Sequence, residues 1–329
     1  MKFLITGGAG YIGSHLVKYL QSINHDVSVI DNFSTGNRWA LKNCEIYEID
    51  LLDKAKLISK LKQQKFDGVF HLAAKSLVAE SFVQPEFYYR NNVLGTRNLL
   101  ELMTEMSTEK IVFSSTAAIF GLPEENKIGE QHPKQPVSPY GISKLKAEQM
   151  IEEFSIKNKI RCITLRYFNA AGAHFSGELG EYHIPETHLL PRVCNLIISQ
   201  NEVLEIFGNN YNTHDGTCIR DYIHVEDIVN AHTLAFNELQ SIKFYDDFNL
   251  GNSKGFSVLE IIKAVEDLSG KMLPYKFVQK RPNEPSTLIA DNSKAIRQLN
   301  WNIKHSNIEK IVKTALQWHQ NVKNGIHLN

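Results

Sequence analysis

A run of glycines near the N-terminus constrains this chain most. Thr6-Gly7-Gly8-Ala9-Gly10-Tyr11-Ile12-Gly13 falls between a short apolar run, Lys2 to Thr6, and a stretch from Tyr11 to Ile23 whose Ile12, Leu16, Val17, Leu20 and Ile23 share one helical face. Missing side chains at Gly7, Gly10 and Gly13 let the backbone turn tightly and let an anionic group approach the positive end of the helix. Taken alone, the run serves any tight turn equally well. Its place after a strand and at the opening of a helix is what points to a bound pyrophosphate.

The rest of the first half fits that reading. Val27 to Ile30, Glu45 to Ile49, Val69 to Leu72, Ile111 to Phe113 and Cys162 to Leu165 read as buried strands. Helices are expected near Lys54–Gln64, Glu86–Met106 and from Ser138-Pro139 to about Lys157. Strands alternating with helices predict an α/β fold: a doubly wound parallel sheet with helices on both faces. After about Ala170 the pattern loosens. Helices recur near Leu189–Gln200, Val225–Leu239, Val258–Ser269 and Ile308–Val322, which predicts a second, smaller α/β domain over the carboxyl edge of the sheet. The expected division is 1–169 for the dinucleotide and 170–329 for the substrate, with about 219–250 packing back on the first domain.

Asp31 closes the second strand. An acidic side chain there accepts hydrogen bonds from an adenosine ribose and repels a 2′-phosphate, favouring NAD over NADP, although Arg38 lies seven residues further on. Asp50 and Leu51 follow the third strand at a position suited to the adenine. Lys+Arg and Asp+Glu are both 36, so the net charge is zero. That disfavours bare nucleic acid or an anionic membrane as partner. No apolar run approaches the ~20 residues of a membrane span. The N-terminus lacks a signal-peptide pattern, and Cys44, Cys162, Cys194 and Cys218 are scattered without metal-ligand spacing. The expectation is a cytoplasmic protein with reduced thiols and no metal.

Tyr140 and Lys144 stand four residues apart, on one face of the expected helix, 24 residues after Ser114-Ser115-Thr116 at the end of a strand. A phenol, with a pKa of about 10, is a poor base at neutral pH. A nearby ammonium and a cationic nicotinamide ring both favour the phenolate. The pair is therefore expected to shuttle a proton while hydride moves to or from the ring, with Thr116 hydrogen-bonded at the reacting hydroxyl. His71 and His224 lie in apolar runs and read as satisfied core histidines.

Together, TGGAGYIG, Asp31, Asn91-Asn92-Val93-Leu94-Gly95-Thr96, the SST run and the Tyr140/Lys144 pair resemble the extended short-chain dehydrogenase/reductase superfamily, with its Rossmann-type nucleotide fold. Leu165 to Ala173, Ile206 to Tyr211 and Asp215 to Val225 narrow the resemblance, over essentially the whole chain, to the UDP-glucose 4-epimerase family. The resemblance implies NAD as cofactor. Its contacts would be Gly7, Gly10, Tyr11, Ile12, Gly13, Asp31, Asn32, Phe33, Ser34, Thr35, Gly36, Asp50, Leu51, Leu72, Ala73, Ala74, Asn91, Ser114, Tyr140, Lys144 and Phe168. It assigns Thr116, Tyr140 and Lys144 to catalysis. For a UDP-sugar it implies Thr116, Asn169, His188, Leu189, Glu205, Ile206, Phe207, Arg220, Tyr222, Arg281, Glu284 and Leu288, and it implies a homodimer joined through Glu86–Met106 and Pro139–Lys157.

The implied reaction is interconversion of UDP-glucose and UDP-galactose. Tyr140 takes the proton of the sugar 4-hydroxyl, hydride leaves C4 for retained NAD, the 4-keto sugar turns over, and both return to the other face. Such a site grips UDP firmly and the hexose loosely. The chain departs from the family pattern in three places. His188 replaces a frequent asparagine. Lys75 stands one position before the lysine that meets the cofactor phosphates in some members, with Ser76 at the matching position. Leu288 takes the place of a bulky tyrosine, leaving room for an N-acetyl arm. A 4,6-dehydratase would need an Asp-Glu pair where this chain has Ala117-Ala118. A uronate 4-epimerase or decarboxylase would need a cationic or polar contact for the C6 carboxylate. A dehydrogenase that releases its cofactor and a non-catalytic dinucleotide sensor are the remaining readings.

Overall fold

The computed structural model describes residues 1–125, 127–200 and 202–325. Its strands are β1 (Lys2–Thr6), β2 (Asp26–Asp31), β3 (Glu45–Glu48), β4 (Gly68–His71), β5 (Lys110–Thr116), β6 (Arg161–Tyr167), β7 (Asn169–Ala171), β8 (Leu204–Phe207), β9 (Ile219–His224), β10 (Tyr245–Leu250), β11 (Gly255–Ser257), β12 (Tyr275–Val278) and β13 (Thr287–Leu288). Seven of them form one parallel sheet in the order β10-β6-β5-β4-β1-β2-β3. The strand order reverses between β1 and β4, and the crevice at the carboxyl ends of those two strands is where such sheets bind ligands.

The helices are α1 (Tyr11–Ser22), α2 (Lys54–Leu61), α3 (Val78–Val83), α4 (Pro85–Tyr89), α5 (Gly95–Glu105), α6 (Pro139–Asn158), α7 (Leu189–Ser199), α8 (Val225–Glu238), α9 (Val258–Ser269), α10 (Ser293–Gln298) and α11 (Ile308–Lys323). Both faces of the sheet are covered, which is why its strands read as continuous apolar runs. Phe3 and Ile5 of β1 point to a core with Leu16 and Leu20 of α1 and Ile228 and Phe236 of α8. Leu4 between them points to the opposite core with Leu57 of α2, Leu99 and Met103 of α5 and Ile151 of α6. A third core gathers Val193 of α7, Ile261 and Val265 of α9 and Ile311 of α11.

β10 extends the large sheet beside β6, and α8 packs on α1, so residues 225–250 lie on the first sheet. β9 joins β7, β11 and β13 in a second sheet, and β8 pairs with β12 in a third. The single helix expected over Glu86–Met106 is in fact α4 and α5 separated by a five-residue π turn, Arg90–Leu94. A π turn widens the helix by one residue. Here it lets Asn91 line the crevice while Asn92 bonds back to the Lys75 backbone and to Ser143 Oγ of α6 at 2.9 Å. No helix among the described residues is long and apolar enough to cross a membrane.

Candidate active site

At the dinucleotide end, the cleft is lined by Gly7, Gly10, Asp31, Asn32, Ser34, Thr35, Gly36, Asp50, Leu51, Leu72, Ala73, Ala74 and Asn91, all expected from sequence. Ile30, Ile49 and Lys75 complete the lining. Gly7 has φ +72°, and a Cβ on it would meet Ala73 N at 2.6 Å; one on Gly13 would meet Gly7 O at 2.1 Å. These two glycines let the loop, the β4 end and α1 pack together. A Cβ on Gly10 would meet nothing nearer than Gly7 O at 3.4 Å, so its backbone is open to the cleft. Gly10 is also the N-cap of α1, which has neither a side-chain cap nor an acidic residue in its first turn. The free N–H groups at Tyr11, Ile12 and Gly13 thus suit an anion.

Asp31 holds its carboxylate at the end of β2 by accepting from Ala9 N at 2.9 Å and Phe33 N at 2.8 Å. Burial raises its pKa, and these N–H groups and the Lys75 charge oppose that rise. Asn32 donates to Asp50 at 2.9 Å and accepts from Ser34 N, tying the two strand-end acids into one wall. Arg38 is turned away from this wall, paired with Glu48 and stacked on the Phe33 ring at 4.2 Å. Phe33 contributes its backbone rather than its ring to the site. Lys75, one position before the lysine of some family members, reaches the cleft with its ammonium 2.9 Å from Ser34 Oγ. This donor set fits a dinucleotide: a helix N-terminus for the diphosphate, an acid for the ribose and an apolar slot at Ile49 and Leu51 for the adenine.

At the chemical end, Tyr140, Lys144 and Glu148 follow one another at single-turn spacing along α6, facing β5 and β6. Thr116, at the end of β5, hydrogen-bonds the Tyr140 phenol. Lys144 donates to the Ser114 carbonyl at 2.6 Å and lies 4.3 Å over the Phe113 ring. The electrostatics of the protein alone run opposite to the sequence expectation. Burial pushes the Tyr140 phenol up to about 12, with only the Thr116 hydroxyl lowering it. Burial pushes Lys144 down to about 7, and Glu148 one turn on pulls it back. The protein keeps the proton on the phenol, and a cationic ring in the cleft is the charge that would release it.

Behind this row, Ser114 Oγ meets the Tyr167 hydroxyl at 2.7 Å, and His232 completes the buried group. His71 bridges Thr6 at 2.6 Å and Thr96 at 2.7 Å, and burial drops its pKa to about 3. His224 caps α8 and meets Thr314; its pKa is likewise lowered to about 3 by burial. Both are the core histidines the sequence predicts.

The residues expected at a sugar nucleotide come from distant segments. Asn169 of β7 and Tyr222 of β9 are register partners, and Leu288 of β13 pairs with Arg220 of β9. Leu288 packs on the cluster that holds Ala117 and Phe168, bringing it to the chemical end. Glu284 accepts from Arg220 at 3.2 Å, lies 3.8 Å from Arg281 and accepts from the Tyr211 hydroxyl at 2.7 Å. Arg281 stacks on Phe207 at 4.0 Å. Tyr211 is a member of this group that sequence reading passed over, although it closes the Ile206–Tyr211 run. Ile206 is buried in β8, whereas Glu205 pairs outward with Lys276. His188 is the N-cap of α7 and Leu189 its first residue. Burial works against the His188 cation, but the Glu181 and Glu186 carboxylates outweigh it and raise its pKa to about 9. Tyr11, expected at the cofactor, spends its hydroxyl on Gly172 O at 2.6 Å.

Residues 3–251 match the NAD dependent epimerase/dehydratase family. A UDP-glucose 4-epimerase of Halalkalibacterium halodurans is 44% identical over 325 residues, covering 99% of this chain and 97% of that one. Among solved structures, the UDP-glucose 4-epimerase of Brucella ovis in complex with NAD is 40% identical with a TM-score of 0.92, covering 96% of this chain and 97% of that one. The Bifidobacterium longum enzyme in complex with NAD+ and UDP is 34% identical with a TM-score of 0.93, covering 99% and 100%. With the glycine cradle, the Tyr140–Lys144 row and full-length likeness in agreement, the chain belongs to the NAD dependent epimerase/dehydratase family, among its UDP-glucose 4-epimerases.

Proposed function

We propose that this protein is an isomerase that inverts C4 of the hexose in UDP-glucose and UDP-galactose, with NAD as a retained cofactor. The observation that carries this reading is the meeting of Thr116, Tyr140 and Lys144 at the carboxyl end of β5, in the same parallel sheet whose β1, β2 and β4 ends border the dinucleotide cleft. Bound NAD supplies the hydride acceptor and donor at C4. Tyr140 Oη accepts the proton of the 4-hydroxyl and later returns it, with Thr116 Oγ1 holding the phenol in line. Lys144 stays on the Ser114 carbonyl and lends its charge to the phenolate. Ala117 and Ala118 put no acid or base beside C5 and C6, so water loss has no catalyst.

Residues 1–169 would hold the dinucleotide and 170–329 the UDP-sugar. Arg220 and Arg281 would clamp the diphosphate by forked donors, with Glu284 and Tyr211 setting the two guanidinium groups. Asn169, Tyr222, His188, Leu189 and the Glu205–Phe207 strand would complete the nucleotide pocket. Leu288 would leave room for an N-acetyl arm, which extends the substrate range to UDP-N-acetylhexosamines. Exposed Phe82, Val83 and Ile156 on α3 and α6 support a homodimer through the helices of the first domain. The four free cysteines support a cytoplasmic setting.

The test is incubation of purified protein with UDP-galactose, UDP-N-acetylgalactosamine and UDP-galacturonate, without added NAD, and product identification by NMR. UDP-glucose from the first substrate is expected. Turnover of the uronate alone, or strict dependence on added NAD, would overturn the reading.

A further inference from the structure

Outside the cleft, one loop gathers four ligand-type side chains. Glu181, His183, Glu186 and His188 fall within eight residues at Glu-x-His-x-x-Glu-x-His spacing, and one donor atom from each lies within 4.8 Å of all the others. His188 Nδ1 is 2.5 Å from Glu181 Oε1. His183 Nδ1 is 3.6 Å from the same oxygen and 3.5 Å from Glu186 Oε2. His188 Nδ1 is 3.8 Å from Glu186 Oε1.

We propose that these four side chains bind a single divalent transition-metal ion, foremost Zn2+, that pins the 181–188 loop to the start of α7. Donors at about 2.0–2.2 Å from a tetrahedral ion stand roughly 3.4 Å from one another. The three His–Glu separations of 3.5, 3.6 and 3.8 Å come near this. The 2.5 Å His188–Glu181 hydrogen bond would have to open by about 1 Å to admit the ion. Two carboxylates offset the charge of one divalent ion, and imidazoles select zinc, cobalt or nickel over magnesium and calcium. His188, protonated beside the two glutamates, would release that proton to solvent as the ion binds.

The surrounding structure orients the donors. Glu181 is buried, and its carbonyl accepts from Trp318 Nε1 at 2.9 Å. Glu186 Oε1 accepts from Thr187 N and His188 N at 2.8 and 2.9 Å, leaving Oε2 facing His183. The separate observation pointing to a ligand is His183 Nδ1. This atom is shut off from solvent and makes no well-formed hydrogen bond; its nearest partners are carboxylate oxygens at 3.5 and 3.6 Å, within ion-pair reach only. A buried polar atom without a partner is costly, and a cation between the four groups would satisfy it. The ion would act on the UDP-sugar end by position alone, because α7 opens at His188 and Leu189. His188 is also among the residues proposed for the UDP-sugar, so the test reads metal uptake rather than turnover and fails separately from the substrate reading.

The experiment uses the full-length holoenzyme, stripped with chelator and dialysed, then titrated with Zn2+ against a competing indicator. Bound metal is counted by mass spectrometry and thermal midpoints are recorded. Wild type is expected to take up one equivalent and to melt at a higher temperature with Zn2+. His183→Gln and Glu186→Gln, neither of which is assigned to the reaction, are each expected to weaken binding by more than about tenfold and to abolish the thermal shift. Less than stoichiometric uptake by wild type, or one equivalent retained by both variants, would overturn the proposal. The titration of wild type decides the matter even where a variant folds poorly.

Discussion

At the dinucleotide end of the cleft, the wall is made of backbone, glycines and short side chains drawn from the first 91 residues. The proposed sugar-nucleotide end is instead a cluster of long side chains, Tyr211, Arg220, Arg281 and Glu284, brought together from three separate segments of chain. The first end works by leaving atoms out and tolerates no addition. The second works by charge-assisted contacts and tolerates no removal. On the proposed reading the Tyr140–Lys144 row of α6 would lie between them, with the proton held on Tyr140 by burial until a cationic ring arrives.

The largest expected effect isolates that middle row. Tyr140→Phe removes the proton acceptor and is expected to cut the epimerisation rate by about 10²–10⁴-fold, while NAD absorbance of the purified protein stays unchanged. Loss of the cofactor along with activity would instead assign Tyr140 to the dinucleotide wall. Next, Gly13→Ala probes the end built by omission. Its Cβ would stand 2.1 Å from Gly7 O, so we expect NAD-free protein destabilised by about 1–3 kcal/mol in thermal unfolding. An alanine variant that keeps its cofactor would break the distinction between the two ends. Arg220→Ala probes the other end. It leaves the mostly buried Glu284 without its nearest cation, and KM for UDP-galactose should rise by about 10–100-fold, the worth of a charge-assisted hydrogen bond of roughly 1.5–3 kcal/mol. The kcat should change little. Leu288→Tyr is a smaller perturbation, expected to lower turnover of UDP-N-acetylgalactosamine about tenfold relative to UDP-galactose.

A separate effect, confined to acid pH and absent near neutrality, concerns stability. His71 and His224 have folded pKa values near 3, depressed from 6.5 by burial. Between those values the unfolded chain binds protons that the folded chain does not. Unfolding is therefore favoured as pH falls from 6.5 towards 3, and the stability present above 6.5 is lost, by about 1.4 kcal/mol per pH unit for each group. Denaturant midpoints of His71→Gln against pH should show a shallower acid slope than wild type. An unchanged slope would mean that His71 is not held neutral between Thr6 and Thr96.

The contrast between the two ends also explains what could be read from sequence. The glycine loop and the acids closing β2 and β3 are contiguous, so periodicity and turn chemistry reveal them. Arg220, Arg281 and Glu284 each look like ordinary surface charges, and only a whole-family resemblance groups them. Tyr211 escaped because its partner, Glu284, lies 73 residues away. β10 escaped because Tyr245-Asp246-Asp247 does not look like a strand. Its acids are satisfied by Lys294 and Arg166, which sequence cannot place there. The π turn at Arg90–Leu94 is likewise invisible to a 3.6-residue period, since flanking helices on both sides mask it. The Glu181–His188 quartet has no cysteine and no familiar ligand spacing, so only the folded loop brings its four side chains together.

One buried contact carries a consequence for the making of the protein. Arg166 lies wholly inside, joined to Glu148 of α6 at 2.9 Å and to Asp247 of β10 at 2.6 Å. The helix bearing the proton-transfer groups is thereby welded to a strand synthesised about a hundred residues after Tyr140. A growing chain that has not yet released Asp247 from the ribosome holds a guanidinium with half its counter-charge. A chain cut short before Asp247 would therefore lack more than a sheet edge, because Arg166 would keep Glu148 as its one remaining buried carboxylate partner.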